Sequence, residues 1–205
     1  MKSQQKHPQK FSLEFFPPRT EKGMEKLKNV IQELGTLTPE YMSVTYGAGG
    51  TTQERTLDTV RYIQDHTSFD AAPHLTCIGA DKESVTELLN TYEAMGVNRI
   101  VALRGDLPSG MMDPGEFKYA SDLVAFIKEQ RGDQFHLEVA AYPETHPQAR
   151  NCAIGMKWFK HKVDQGADSA ITQYFFNFDS YRYFIDNCER NGIDIPIIPG
   201  IMPIT

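Results

Sequence analysis

The sequence predicts an α/β protein of the (β/α)8 TIM-barrel class, and three features of the 205-residue chain lead to this prediction. Short runs rich in β-branched and aromatic residues alternate with segments of helical periodicity. Such alternation is typical of parallel β/α architectures. The turn after the first predicted strand, PPRTEKG, lacks the G-x-G-x-x-G fingerprint of a Rossmann sheet. These features favour a barrel, although an open doubly wound sheet begins in the same way.

Seven short apolar strands are predicted. They lie at residues 11–16, 41–46, 71–77, 99–104, 136–142, 169–176 and 195–204. A TIM barrel typically has eight strands in about 250 residues. We therefore expect a barrel that is truncated after strand seven, with its C-terminal part missing. We also expect a flexible polar N-terminus over residues 1–10 and a single barrel domain over residues 11–205.

Six helices are predicted between the strands. They lie at residues 20–35, 52–66, 81–96, 117–131, 147–165 and 179–192. Three of them have apolar stripes bounded by a side chain that can cap the first turn and a glycine at the end. The candidate N-caps are Thr20, Asp81 and Asp179, and the terminal glycines are Gly35, Gly96 and Gly192.

The composition favours a soluble cytoplasmic protein and leaves small polar substrates open. The chain carries 21 basic and 27 acidic residues, a net charge of −6, which argues against a nucleic-acid or membrane partner. The N-terminus has no secretory apolar segment, and no run approaches the roughly 18 apolar residues of a membrane span. The three cysteines show no Cys-x-x-Cys spacing, so we expect buried free thiols in a reducing compartment.

Polar side chains recur late in successive predicted strands. Because side chains alternate across a strand, Glu14 lies on the face opposite Leu13 and Phe15. On the fourth strand, alternation separates Arg104 and Asp106 from the apolar residues. The polar residues near the strand ends are Glu14, Thr45, His74, Arg104, Asp106, Tyr142 and Gln173. The carboxyl ends of barrel strands form the active site of TIM-barrel enzymes, so we expect an active site there.

Each of these residues also has a structural interpretation. Glu14 could form a buried ion pair with Arg104, and His74 could be a hydrogen-bonded core histidine. Ordinary strand, turn and strand-edge roles are the alternatives for Thr45, Asp106 and Gln173. A functional interpretation is favoured because all of these residues fall at the same end of the predicted barrel.

The sequence predicts no metal site. It contains no His-Glu-x-x-His motif, its carboxylates are not clustered, and His74 and His146 lie on separate elements. One carboxylic acid, several hydrogen-bonding groups and no metal suit proton transfer next to an organic cofactor.

Seven motifs follow one another along the chain from about Phe11 to the last residue. They are LEFFPPRT, SVTYGAGG, APHLTCIGA, NRIVALRGDLP, AAYPETHP, GADSAITQYFFN and IIPGIMPI. In this order they resemble the methylenetetrahydrofolate reductases of the bacterial single-domain type. The resemblance implies a cytoplasmic, homo-oligomeric (β/α)8 flavoprotein that binds FAD. It also implies that the protein reduces 5,10-methylenetetrahydrofolate to 5-methyltetrahydrofolate with NADH or NADPH, an oxidoreductase of one-carbon metabolism and methionine biosynthesis.

The resemblance implies roles for three residues. Glu14 matches the general acid that protonates a ring nitrogen of the folate, which opens the ring to an iminium able to accept hydride. An acid that works near neutral pH needs a raised pKa, and we expect burial in an apolar strand to raise the pKa of Glu14. Asp106 matches the carboxylate beside flavin N1, and Gln173 matches the residue that hydrogen-bonds the pterin.

Further positions match the FAD contacts of the family. They are Thr45, His74, Arg104, Gly105, Asp106, Tyr119, Ala120, Tyr142, His146 and Lys162. Cationic Arg104, His146 and Lys162 suit the pyrophosphate or ribose. Gly155 stands where the family generally has an aspartate, which predicts weaker or rearranged contacts to the adenosine end.

Two other functions remain open from the residues. A pterin-binding barrel methyltransferase would share the folate contacts without needing flavin. An inactive fragment that binds flavin or folate would keep the motifs without turnover. Bound FAD and its reduction by a nicotinamide distinguish these alternatives from the reductase.

Overall fold

The structure is a computed structural model that describes residues 1–46, 50–106 and 115–203. Residues 47–49, 107–114 and 204–205 lie outside the described residues, so parts of the motifs SVTYGAGG, NRIVALRGDLP and IIPGIMPI are not placed. The chain divides into two compact units. The N-terminal unit is Gln9–Tyr119, and the C-terminal unit combines Met1–Pro8 with Ala120–Thr205.

Strands and helices alternate through the described ranges. In chain order the elements are α1 (Lys2–Gln5), β1 (Leu13–Phe15), α2 (Glu21–Gly35), β2 (Tyr41–Val44), α3 (Gly50–His66), β3 (Asp70–Thr76), α4 (Lys82–Ala94), β4 (Arg99–Leu103), α5 (Ala120–Arg131), β5 (His136–Ala141), α6 (Cys152–Asp164), β6 (Ser169–Thr172), α7 (Phe178–Arg190) and β7 (Ile197–Ile198). All seven predicted strands and all six predicted helices are therefore confirmed, and α1 is an additional short helix.

The N-terminal unit contains a parallel sheet in the order β1-β2-β3-β4. Glu14 is in register with Ser43, and Ser43 with Ala72. Register partners in a parallel sheet share a face, and we call this one the Glu14 face. Two residues after Ala72, His74 returns to the same face and is in register with Val101.

The opposite face of this sheet packs against the helices through apolar side chains, and the Glu14 face also carries a buried apolar cluster of Tyr41, Ala72 and Val101. Leu13 pairs with Met42 and Phe15 with Val44, and both β2 residues are fully buried. Side chains from the helices fill the same core, among them the fully buried Ile31, Val60, Ile63 and Leu89. Burial of such side chains stabilises the fold by roughly 1.5–3 kcal/mol each relative to exposure. The predicted orientation of Leu13 and Phe15 opposite Glu14 is confirmed.

Helix caps explain where two of these helices begin. The Thr20 hydroxyl accepts from the Gly23 amide at 3.1 Å at the start of α2. The Asp81 carboxylate accepts from the Ser84 amide at 2.8 Å, and the Ser84 hydroxyl accepts in return from the Asp81 amide at the start of α4. This reciprocal pair is a capping box. The predicted N-caps Thr20 and Asp81 are confirmed.

The C-terminal unit contains a parallel sheet in the order β5-β6-β7. Two of its buried polar residues, Glu138 and Ser169, are register partners joined by a hydrogen bond of 2.9 Å. The Ser169 hydroxyl also lies 2.7 Å from Nε2 of His136. The network ties β5 to β6 near their amino ends, where TIM-barrel residues generally serve stability.

The N-terminal residues pack on the last part of the same unit. The Gln4 side chain donates to the Ile195 carbonyl at 3.2 Å and accepts from the Ile197 amide at 2.8 Å. The Gln4 carboxamide thereby satisfies backbone groups at β7 that a neighbouring strand would otherwise pair with. The Ser3 hydroxyl and amide both donate to Glu189 at 2.8 Å, which attaches α1 to α7.

Two local predictions were wrong. The first helical residue of α7 is Phe178, and its cap is Asn177, whose side chain accepts from the amide of the predicted cap Asp179 at 2.9 Å. Cys77 and Cys188 are buried as expected, but Cys152 is exposed at the start of α6 because the first turn faces outward. Within the described ranges, none of the helices combines the length and apolar character needed to cross a membrane.

Candidate active site

Glu14 occupies the centre of β1 and projects from the Glu14 face of the sheet. Its side chain is 43% exposed, although its chain neighbour Phe15 is buried. The position can hold a carboxylate because the carboxylate group reaches solvent while the backbone of β1 stays paired with β2. The residue is therefore less enclosed than the apolar sequence around it indicates.

His74 lies near the carboxyl end of β3 and is only 8% exposed. Its Nε2 atom lies 3.4 Å from a carboxylate oxygen of Glu14, so the contact reaches across β2. The distance is that of an ion pair, but Nε2 makes no hydrogen bond of good geometry with the described residues. The structure thus brings into contact two residues that the sequence analysis predicted as site residues independently of each other.

This contact changes the expected acidity of Glu14. The pKa of Glu14 lies below its usual value, first because of the polar contact with His74, with desolvation opposing and the charge of His74 adding to the lowering. The expectation that burial raises the pKa of Glu14 is wrong for the protein alone, because the side chain is exposed and has an imidazole beside it. The alternative partner, Arg104, instead donates from Nε to the Gly105 carbonyl at 3.4 Å.

Thr45 follows the last residue of β2 and is held by two backbone contacts. Its amide donates to the Phe15 carbonyl at 2.9 Å, and its carbonyl accepts from the Thr56 hydroxyl of α3 at 3.1 Å. These bonds fix the end of β2 between β1 and α3. The Thr45 side chain is partly exposed at the strand end, where the sequence placed it.

The chain leaves β4 through Arg104, Gly105 and Asp106. The Arg104 carbonyl accepts from the Ile78 amide at 2.9 Å, which fixes this segment beside the end of β3. Gly105 has φ +84°, a conformation that favours glycine. Strand alternation cannot assign the face of Arg104 and Asp106, because β4 ends at Leu103 and Gly105 redirects the chain. Asp106 is exposed.

Tyr119 and Ala120 form the junction before α5. Tyr119 is exposed, and its carbonyl accepts a long contact of 3.7 Å from the buried Cys77 thiol. Ala120 is the first residue of α5.

An aromatic group surrounds His146 in the C-terminal unit. The His146 ring lies 4.4 Å from the Tyr142 ring and 6.0 Å from the Trp158 ring, edge-on in both cases. Nδ1 of His146 accepts from the Gln148 amide at 3.0 Å, which orients the imidazole. Trp158, the only tryptophan of the chain, is half-exposed and was not among the predicted site residues. Its uniqueness was the one signal that the sequence offered.

Lys162 lies in the last turn of α6 and directs its ammonium to the carbonyl of Ala140 on β5. The stem is partly exposed, but the ammonium end is enclosed, and burial lowers the pKa of Lys162 to about 8. Its Nζ also lies 5.6 Å from the centre of the Phe159 ring. An enclosed amine of this acidity binds an anion most strongly below about pH 8.

Gln173 directly follows β6 and is exposed. Its amide donates to the Ala141 carbonyl at 2.8 Å, which continues the strand pairing by one residue. Its side-chain oxygen accepts from the Tyr174 amide at 3.2 Å. Its carboxamide nitrogen has no hydrogen-bond partner among the described residues, so it can meet a polar ligand.

The residues fit an organic cofactor better than a metal ion. In the parts of the chain that the structure describes, no three His, Cys, Asp or Glu residues come together as metal ligands. The N-terminal unit instead presents a buried imidazole nitrogen that has no hydrogen-bond partner among the described residues and, next to it, the partly exposed end of β2. A buried polar atom of this kind calls for a partner, and flavin heteroatoms would supply one.

Parallel β/α units of this kind define the TIM-barrel-like class, and solved structures agree. An uncharacterized protein from Clostridium thermocellum that binds two copies of 5-methyl-5,6,7,8-tetrahydrofolic acid superposes with a TM-score of 0.63 at 15% identity, over 97% of this chain and 67% of its own. At this identity the match establishes the fold alone. The predicted TIM-barrel-like fold class is confirmed.

Sequence comparison identifies the family. The profile of the methylenetetrahydrofolate reductase family matches residues 1–205. The 5,10-methylenetetrahydrofolate reductases of Pectobacterium carotovorum and Escherichia coli are each 47% identical over 194 residues, which is 95% of this chain and 64% of theirs. The chain belongs to the methylenetetrahydrofolate reductase family. It spans just under two thirds of the length of these curated relatives.

Proposed function

We propose that the chain takes part in the FAD-dependent reduction of 5,10-methylenetetrahydrofolate to 5-methyltetrahydrofolate by NADH or NADPH. The observation that carries the proposal is the Glu14–His74 contact of 3.4 Å at the family motif positions on β1 and β3. It joins a titratable carboxyl group to a buried imidazole on the face where family resemblance expects flavin and folate. Membership of the family, established over residues 1–205, supports the same reaction.

Glu14 is the proton donor in this proposal. Its exposed carboxyl group transfers a proton to a ring nitrogen of the folate, and the C–N bond of the bridging carbon then breaks with its electron pair going to that nitrogen. The carboxylate that remains stabilises the iminium cation by charge. Gln173 is proposed to orient the pterin through the free side of its carboxamide.

FAD, when bound, supplies the hydride. In the N-terminal unit we propose Thr45, His74, Arg104, Gly105, Asp106 and Tyr119 as its contacts. In the C-terminal unit we propose Ala120, Tyr142, His146 and Lys162. Asp106 would place a carboxylate near the pyrimidine edge, which disfavours negative charge on a reduced ring, and Lys162 would meet a phosphate or ribose oxygen.

The experiment is an anaerobic reaction in two stages. The purified chain is loaded with FAD, reduced with NADH while the flavin absorbance is followed, and then mixed with methylenetetrahydrofolate. We expect the flavin absorbance to fall and then to recover as 5-methyltetrahydrofolate forms. Bleaching without recovery would contradict the folate half of the proposal, and failure to bind FAD would contradict the flavin half.

Replacement of the acid separates the two stages. Glu14→Gln should slow the folate stage by about 100-fold or more, the usual contribution of a general acid, with a far smaller effect on reduction by NADH. Glu25→Gln is the matched control, because Glu25 is exposed on α2 in a surface pair with Lys28. Equal loss of both stages in Glu14→Gln would exclude Glu14 as the folate acid.

A further inference from the structure

His74 has a position that flavin contact alone does not explain. Its side chain is nine-tenths buried, yet Nε2 makes no hydrogen bond with the described residues. An unpaired buried polar group costs about 1–3 kcal/mol. A carboxylate oxygen of Glu14 lies 3.4 Å from this nitrogen, on a strand that is not adjacent to β3. The imidazole therefore points at the proposed acid from two strands away.

Few other charged groups lie around this contact in the part of the chain that the structure describes. On the strand between them, β2, the Glu14 face carries the uncharged Ser43. On β4, the guanidinium of Arg99 stacks over the Tyr41 ring at 4.3 Å. The helix packed on β3, α3, buries Thr59, Val60 and Ile63.

Past the strand ends, Arg104 contacts the Gly105 carbonyl and Asp106 is exposed. Among the described residues, His74 lowers the pKa of Glu14 through the polar contact and then through its charge, while desolvation opposes the lowering. Within the described ranges, the contact is consequently a specific pair rather than part of a wider charge network.

We propose that His74 is a positioning residue for Glu14, which holds the carboxyl group across β2 and sets, by its own charge, when Glu14 carries the proton for the folate. The inference rests on the proposed function, because the folate reaction is the step that consumes the proton of Glu14. It adds a residue whose effect on folate chemistry passes through Glu14, separately from any contact of His74 with flavin.

The chemistry of the pair follows from its geometry. With a cationic imidazole 3.4 Å away, Glu14 favours the carboxylate. A neutral imidazole, or one whose Nε2 is engaged by a ligand, withdraws that stabilisation, which makes it easier for Glu14 to take a proton from water. When the proton passes to the folate nitrogen, an O–H bond breaks and an N–H bond forms. Each turnover thus takes one proton from solvent through Glu14.

The test uses three variants of the chain. His74→Gln keeps a side chain of similar reach but removes the charge, and His74→Asn removes both the charge and the reach. His66→Gln is the matched control, because His66 is exposed at the end of α3 and stacks on Tyr62 instead. Circular dichroism and thermal unfolding are used to check that each variant is folded. If His74→Gln does not fold, His74→Asn takes its place in the comparison with the wild type.

The first measurement is the titration of the Glu14 carboxyl carbon by NMR in chain labelled at glutamate Cδ, assigned by the signal missing in Glu14→Gln. We expect the titration midpoint to move upward in both His74 variants and to stay unchanged in His66→Gln. Because no flavin or folate is needed, this result is independent of catalysis. An unchanged midpoint in the His74 variants would overturn the inference even if the chain reduces folate.

The second measurement is the pH dependence of the folate stage at saturating FAD. Removal of His74 should move the descending limb of the rate to higher pH, since Glu14 keeps its proton longer, and should lower the plateau by about tenfold or more through lost positioning. A lower rate with an unmoved limb would mean a purely structural role and would overturn the inference. Absence of the folate stage in the wild-type chain would contradict the proposed function. The titration would still show whether His74 controls the protonation of Glu14.

Discussion

Gly200 and Thr172 approach each other so closely that only a glycine fits between them. The Gly200 amide donates to the Thr172 hydroxyl at 2.9 Å, and a Cβ on Gly200 would lie 2.1 Å from the Thr172 carbonyl oxygen. The contact joins the segment after β7 to the last residue of β6. It positions the backbone just before Gln173, the proposed pterin contact.

Gly200→Ala should destabilise the protein markedly. The added methyl meets a backbone oxygen, which cannot rotate away, and overpacking of this kind costs about 1–3 kcal/mol. We expect the free energy of unfolding from urea denaturation to fall by about 2 kcal/mol or more. A loss below about 0.5 kcal/mol would show that the segment after β7 shifts freely.

Gly155 offers the opposite case and a test of the proposed cofactor. It lies inside α6, and a Cβ there would meet only the Ala149 methyl, at 3.8 Å. Gly155→Ala should therefore raise the free energy of unfolding by about 0.5–1 kcal/mol. Gly155→Asp restores the residue type expected from the family, and one charge-assisted hydrogen bond should lower the Kd for FAD about tenfold.

The sole tryptophan provides the readout for this prediction. Trp158 lies one turn beyond Gly155 on α6 and beside His146, so bound flavin should quench its fluorescence. Gly155→Ala is the matched control, with an expected Kd within twofold of the wild type. Equal Kd values for the alanine and aspartate variants would mean that no carboxylate is needed at this position.

The order of elements could be predicted because the local signals agree with one another. The stripe that buries Ile31 coincides with a cap at Thr20, and the same holds for Leu89 and Asp81. Strand ends were less predictable. Residues 173–176 have high β propensity, but β6 ends at Thr172 and Phe176 is 79% exposed.

Individual site residues could be predicted, whereas their contacts could not. Glu14 and His74 are separated by 60 positions in the sequence, and their contact depends on the register of three strands. The lowered pKa of Glu14 follows from that contact, so an argument from the apolar β1 sequence gave the wrong direction. For the same reason Lys162 could be named from its motif position but not linked to the Ala140 carbonyl.

Lys162 should make stability rise with pH in the alkaline range. Burial lowers its pKa from 10.5 to about 8 in the folded protein. Between these values the unfolded chain holds a proton that the folded chain has lost, so raising the pH favours the folded state. We expect the free energy of unfolding of the wild type, relative to Lys162→Met, to increase from about pH 8 to 10.5, by at most about 1.4 kcal/mol per pH unit.

A neighbouring lysine controls for the general effect of alkaline pH. Lys160 is partly exposed on the same helix and pairs with Asp164 at 2.8 Å. Urea denaturation of Lys160→Met between pH 7.5 and 10.5 should therefore run parallel to the wild type. A parallel curve for Lys162→Met as well would contradict the enclosure of its ammonium.

Asn177 rather than Asp179 should determine where α7 begins. The Asn177 side chain accepts from the Asp179 amide at 2.9 Å, whereas Asp179 lies inside the first turn, 3.6 Å from Arg182. Loss of a cap costs about 1 kcal/mol, and an exposed first-turn carboxylate contributes about 0.3–1 kcal/mol through the helix dipole. We therefore expect Asn177→Ala to lower the free energy of unfolding more than Asp179→Ala, and only the effect of Asp179→Ala to shrink in 1 M salt. The reverse ranking in urea denaturation would restore Asp179 as the cap that the sequence predicted.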